Sequence, residues 1–193
     1  MKTAKIVLFY ILSFTWGILM SLVGSVVVLA LLATGHKPKK FHHVIYFEIG
    51  EDWGGVELGP FFLCCKGSSL YTKQHECGHG IQNVWFGPLM PFIVCLPSAT
   101  RYWLREQKTK EAKKKFSFIL CGIVAAIAIV LFLIPFITQL YWTIVFPVLM
   151  IVYDLIILLW LLFIEIPKYE IKAPDYDAIW FEGQATELGE RYF

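Results

Sequence analysis

The sequence predicts a mainly α membrane protein with about three transmembrane helices, an HExxH helix at the membrane surface, a small β-hairpin and a short C-terminal helix. Three observations carry this expectation. Hydrophobic residues make up 58% of the chain, above the globular average of about half, and they gather in long uncharged blocks. His75-Glu76-Cys77-Gly78-His79 sets two histidines four residues apart in a helix-compatible stretch. From Tyr176 onward apolar residues recur at helical spacing to the C-terminus.

Composition narrows the function classes. A net charge of +2 is too small to imply nucleic acid as a partner, and no arginine-rich or RNA-binding motif reopens that question. The five cysteines, Cys64, Cys65, Cys77, Cys95 and Cys121, are odd in number and show no CxxC spacing, so they read as mostly reduced. The lipid bilayer is the one partner that composition demands.

Taken in order, the stretch from Ile6 to Ala33 carries no charge and exceeds the roughly 20 residues that span a hydrocarbon core. Lys2 and Lys5 precede it as in a signal peptide, but the apolar run is too long and no clear A-x-A site follows, so it reads as a retained, tilted anchor helix. Lys37, Lys39 and Lys40 mark the membrane exit. His42 to Ile49 is β-branched and aromatic, Gly50 to Gly55 is turn-rich, and Val56 to Leu63 follows, together predicting a hairpin with a broken second strand. Such a strand edge beside the HExxH helix can add an extended peptide, or the hairpin merely packs on the helices.

Ser68 or Ser69 can cap the helix that starts near Leu70. Gly78 and Gly80 each weaken that helix by about 1 kcal/mol relative to alanine, and they permit another backbone to approach. Gly87 to Pro97, broken by three prolines, reads as interfacial or re-entrant. Arg101 to Lys115 reads as a basic helix on the membrane surface, its charges facing headgroups or water. Phe116 to Ile134 and Thr143 to Ile164 are the remaining spans. The chain thus divides into a membrane anchor (1–35), a central part with hairpin, HExxH helix, interfacial segment and basic helix (36–115), a transmembrane hairpin (116–166) and a C-terminal helix (167–193).

The chemistry centres on residues 75–79. Two imidazoles at i and i+4 converge on one zinc ion, and Glu76 beside them can act as base on a metal-bound water. A third ligand is required. On the C-terminal helix Ala178, Phe181, Ala185, Leu188 and Tyr192 share an apolar face, and Glu182 lies at its edge, facing inward. The metal set is therefore His75, His79 and Glu182, with Glu76 catalytic. Thr186, at i+4 from Glu182, can hydrogen-bond to a ligand side chain and hold it in place. Asp154 sits near the middle of the last span, where an ionisable residue is costly; it orients a ligand histidine or is protonated and bonded to a neighbouring helix. Tyr169, Tyr176 and Tyr192 are candidates for stabilising the oxyanion.

With three spans, His79 and Glu182 end on the same side as the lysines after the anchor, the basic helix and the tail, which the positive-inside rule makes cytoplasmic. If Ile81 to Pro97 also crossed, the two motifs would lie on opposite faces and meet only within the membrane; its prolines argue against that.

The HExxH motif paired with Trp180-Phe181-Glu182-Gly183-Gln184-Ala185 resembles the gluzincin metallopeptidases. That resemblance implies His75, His79 and Glu182 as zinc ligands and Glu76 as base. Over nearly its full length the chain resembles a group of small bacterial integral membrane proteins with an HExxH motif. The segments that carry this are Trp53 to Gly59, the His75 motif, Phe86 to Leu89, Leu96 to Ser98, Arg101 to Trp103 and Tyr176 to Thr186. The group supports the pairing of the two motifs, implies the bacterial cell membrane as the location, and supplies no substrate. The expected activity is a zinc-dependent peptidase acting on a peptide or a membrane protein near the cytoplasmic membrane face. The alternatives are an intramembrane metalloprotease with Asp154 as a ligand, and a non-enzymatic scaffold with a structural metal site.

Overall fold

The protein is described here by a computed structural model covering residues 3–171 and 173–193. Lys2 and Lys172, which enter the charge pattern, lie outside the described residues. The chain forms two compact units, one of Met1–Leu96 with Tyr176–Phe193 and one of Pro97–Asp175.

The first unit begins with a departure from expectation. The uncharged N-terminal run is not one anchor helix but two, α1 (Thr3–Phe14) and α2 (Ile18–Ala33), bent by 90°. Local polar groups explain the break. The Asn83 carboxamide occupies the space a Cβ on Gly17 would need, 2.5 Å away, and its Nδ2 donates to Gly17 O. The Ser13 carbonyl accepts from Ser21 Oγ at 2.6 Å, so that backbone acceptor is satisfied at the bend.

The sheet that follows comprises β1 (Lys39–Phe41), β2 (Val44–Glu48), β3 (Gly55–Leu58) and β4 (Phe61–Cys64), in spatial order β1-β2-β4-β3. The broken second strand of the expected hairpin is itself a hairpin, β3 with β4. Gly59, at φ +74°, reverses the chain there, and Glu57 Oε1 accepts its N–H. β4 then lies parallel to β2, in a register that pairs Tyr46 with Phe62, and their rings stack at 4.8 Å. β3 is left at the sheet edge. Gly24 of α2 lies so close to it that a Cβ would come within 2.2 Å of Leu58 O.

α3 (Leu70–Phe86) carries the motif and starts where expected, with Ser69 Oγ accepting from Thr72 N at 3.1 Å. Every residue from His75 to Asn83 is buried, so this stretch of the helix is enclosed by the fold, while Leu70, Tyr71 and Trp85 at its ends are exposed. After α3 the chain makes a short 3-10 turn and a π turn, Pro91–Cys95. Ile81 to Pro97 therefore contains no helix that could cross a bilayer. α8 (Trp180–Tyr192) packs against α3 through two glycines: a Cβ on Gly78 would lie 1.8 Å from Ala185 O, and one on Gly189 2.1 Å from Gln74 O. This is the close backbone approach that glycine in the motif allows.

The second unit holds α4 (Leu96–Glu106, from Pro97), α5 (Lys110–Thr138), α6 (Val145–Trp160) and α7 (Ile166–Ile171). The basic stretch is not a single surface helix. It breaks at Gln107 to Thr109, where the Thr109 hydroxyl caps α5 by accepting from Ala112 N. Nor do all its charges face outward: Arg101 is buried, donates from Nε to Glu165 Oε1 at 2.7 Å and reaches Asp175 O at 2.8 Å. Arg105 donates to Pro174 O, and the Lys113 ammonium, also buried, caps Leu104 O. Helical stretches Lys110–Thr138 and Tyr141–Tyr169 are long and apolar enough to cross a membrane. The α1–α2 pair qualifies only as a bent couple, so two spans, or three with that couple, fit by length and composition.

The glycine contact yields a test. Gly78→Ala should lower thermal stability by about 1–3 kcal/mol through overpacking of the α3–α8 contact. Gly122→Ala, whose Cβ would meet nothing within 4 Å, should instead be neutral or stabilising. Thermal unfolding of both variants in detergent checks the contrast.

A candidate metal centre between two helices

α3 and α8 bring together the three residues that the sequence singles out. Glu182 Oε2 lies 3.1 Å from His75 Nε2 and 3.2 Å from His79 Nε2, and the two Nε2 atoms are 3.1 Å apart. Glu182 is fully buried, and both histidines are buried. These three side chains can hold a metal ion.

Each imidazole has its other nitrogen engaged. His79 Nδ1 lies 2.7 Å from Gln82 Oε1. The Gln82 amide is oriented because its Nε2 donates to Phe181 O at 2.7 Å and to Gln184 Oε1 at 3.0 Å, which leaves Oε1 to accept from His79 Nδ1–H. His75 Nδ1 lies 2.9 Å from Thr186 Oγ1. Two Nε2 atoms and a carboxylate oxygen are thus turned toward one another, three natural acceptors in van der Waals range. Acceptors so placed attract only when a cation lies among them, either a proton or a metal.

In the metal-free state the proton serves. Burial opposes charging His79, but the hydrogen bond and charge of Glu182 outweigh it, and its pKa is pushed up to about 9. Glu76 is buried, and that burial raises its carboxyl above the usual range, with His79 and His75 opposing and Glu182 adding to the rise. β3 runs directly over it: a Cβ on Gly55 would be 2.5 Å from Glu76 Oε1.

Other sequence candidates divide by location. Thr186 contacts His75 rather than Glu182, and Tyr176 sits with its ring 6.1 Å from the His75 ring. Tyr192 packs against the apolar core built around Cys77 and Leu188. Tyr169 belongs to the second unit, under the Lys113 ammonium. Asp154 is also in the second unit, on α6, where its backbone carbonyl faces Cys121 Sγ. All five cysteines are free, and burial drives the Cys77 thiol well above its normal pKa, leaving it inert.

Four residues of the site escaped the sequence reading. Gln82 sits at i+3 from His79, a spacing that could have flagged it. Tyr71, at i−4 from His75, stacks on that ring with centroids 6.0 Å apart. Asp177 accepts from the Tyr71 and Thr186 hydroxyls. Glu57 of β3 is buried, with Oε2 lacking a hydrogen-bond partner among the described residues. Burial drives its carboxyl well above the usual range, against the pull of His79 and the Gly59 N–H and with the push of Glu76. Asp177 and Glu57 fall inside segments that carry the family resemblance, but no helical spacing to the HExxH motif marks either of them.

Comparison of the chain with family models, with curated proteins and with solved structures returns no match.

The raised pKa of His79 fixes the sign of a pH effect. Its protonated form is favoured by folding, so in chelator the stabilisation is full below pH 6.5 and is lost as pH rises through about 9. A bound metal competes with that proton, so metal affinity should climb with pH over the same window. Thermal unfolding between pH 6.5 and about 9 should show stability falling with pH in chelator and staying level with saturating zinc.

Proposed function

We propose that the protein is a membrane-bound zinc-dependent metallopeptidase of the gluzincin type, hydrolysing a peptide bond near the cytoplasmic face of a bacterial cell membrane. The observation that carries this reading is the His75, His79 and Glu182 triangle, with Glu76 buried beside it. Ligand atoms about 2.0–2.1 Å from a tetrahedral zinc ion stand about 3.3 Å apart. The observed edges of 3.1–3.2 Å fit that spacing, as does the donor set of two imidazoles and one carboxylate.

Zinc held by these residues would supply Lewis acidity and bring water toward a neutral pKa. The chain's own groups do the rest. Glu76, with its carboxyl raised and sheltered from solvent, receives a proton from the attacking water and returns it to the leaving amine. The outer edge of β3, which has no strand partner among the described residues and runs over Glu76 at Gly55, suits an extended peptide that adds to the sheet by backbone hydrogen bonds. Tyr176, whose ring lies 6.1 Å from that of His75, is the donor to an oxyanion that this reading favours. The bent α1–α2 pair counts as the third span.

That bent pair favours a second reading, an intramembrane metalloprotease. It belongs to the same unit as the triangle, and α2 touches β3, so chemistry could lie at bilayer depth. Cysteine-accessibility labelling beside positions 79, 105 and 182 separates the two, since shielding of the first and last from both aqueous sides favours the intramembrane form.

Purified full-length protein should carry about one zinc ion per chain. Glu182→Ala should lower the zinc content, whereas Glu76→Gln should keep the zinc and lose hydrolysis of a mixed peptide substrate. Metal-free protein from a chelator-free preparation, with no uptake of added zinc, would overturn the reading.

A further inference from the structure

Asp177 lies in the short turn that leads into α8, and nothing in the two motifs draws attention to it. Its Oδ2 nevertheless collects two hydroxyls. Tyr71 donates from α3, and Thr186 Oγ1 donates from α8 at 2.9 Å. A carboxylate has no proton to give, so both hydroxyls must arrive as donors.

This arrangement propagates. A threonine hydroxyl has one proton, and here it is committed to Asp177. Toward His75 Nδ1, 2.9 Å away, Thr186 can then only accept. The imidazole must carry a proton on Nδ1, which leaves Nε2 as the lone pair facing Glu182 and His79. His79 has its Nδ1–H held by a shorter route, through Gln82 on its own helix. His75 has no such neighbour on α3 and depends on groups from α8 and the turn before it.

We propose that Asp177 is a positioning residue of the metal centre, acting through the Thr186 hydroxyl to hold His75 in the tautomer and ring rotation that present Nε2 to the ion. The proposal rests on the metal-site reading above. Tyr71 completes the device. It lies one turn ahead of His75, stacks on the imidazole and ties Asp177 to α3. The second oxygen, Oδ1, is buried with no hydrogen-bond partner among the described residues, so the hydrogen bonds Asp177 accepts are gathered on Oδ2. One carboxylate thus links the helix bearing two ligands to the helix bearing the third.

The test uses full-length protein in detergent, with zinc affinity measured by competition against a chromophoric chelator and with ¹⁵N-histidine spectra of the chelated protein. The His75 resonances are identified by their loss in His75→Gln. Asp177→Ala and Thr186→Val should each weaken zinc binding about 10–100-fold, the range for lost partners of a ligand histidine. Thr186→Ser should restore most of the affinity, and Tyr71→Phe should cost less than Asp177→Ala. In Asp177→Ala, the freed Thr186 hydroxyl can donate to His75, and the spectrum should move away from the Nδ1-protonated form. A merely structural role would lower stability and leave that signature in place. If Asp177→Ala does not fold, Thr186→Val against Thr186→Ser decides, since valine keeps the shape and removes only the hydroxyl. Wild-type protein that binds zinc while these variants bind it equally well, with the tautomer unchanged, overturns the proposal alone. Wild-type protein that takes up no zinc overturns the metal-site reading and the proposal with it.

Discussion

Three acceptor atoms within 3.2 Å of one another cannot remain together without positive charge among them. That constraint governs the first unit. At an effective dielectric typical of protein sites, two like unit charges at such separations repel by about 5 kcal/mol, and partial charges by a fraction of that. The helices must therefore be pressed together by something else, and the apolar packing of Phe181, Ala185 and Leu188 supplies it. Gly78 and Gly189 let the two backbones touch, and the proton or metal at the centre turns a repulsive cluster into a cohesive one. Helix packing and the capture of positive charge by these three groups are thus coupled, as expected where the groups come from elements remote in sequence.

Much of this cluster was legible in the chain because helical geometry is local. The spacing of His75 and His79 fixes their common face whatever surrounds them, and the apolar periodicity around Phe181 and Ala185 turns Glu182 inward. Gln82 obeys the same local rule and could have been read. Asp177 and Glu57 could not, since each matters only through a contact made across the fold, with Tyr71 and Thr186 in one case and with α3 in the other.

The departures in the fold have the same origin. A charge-free run of apolar residues has no feature that announces a right-angle bend, and the bend depends on Asn83, far along the chain. The burial of Arg101 depends on Glu165, and without that partner a solvated arginine was the sound expectation. The parallel pairing of β2 with β4 follows from the turn at Gly59, which splits one apolar run into two strands. Pattern reports which residues seek the interior; it does not report which distant partner will meet them there.

The contact between α2 and the sheet bears on how the protein can be handled. Met20, Ser21 and Gly24 face inward, against Val94, Leu58 and the Gly59 turn, while Leu22, Val26 and Leu29 face outward. The N-terminal apolar segment is therefore a wall of the unit that houses the triangle, and not a tether attached to it. Trimming the chain ahead of Lys37 to obtain a water-soluble fragment would unroof Leu58 and Phe62 and loosen the strand above Glu76. The apolar outer surface of this unit is better reduced by keeping α2 whole and recolouring its outer face with polar side chains, which leaves the inner face to hold the strand in place.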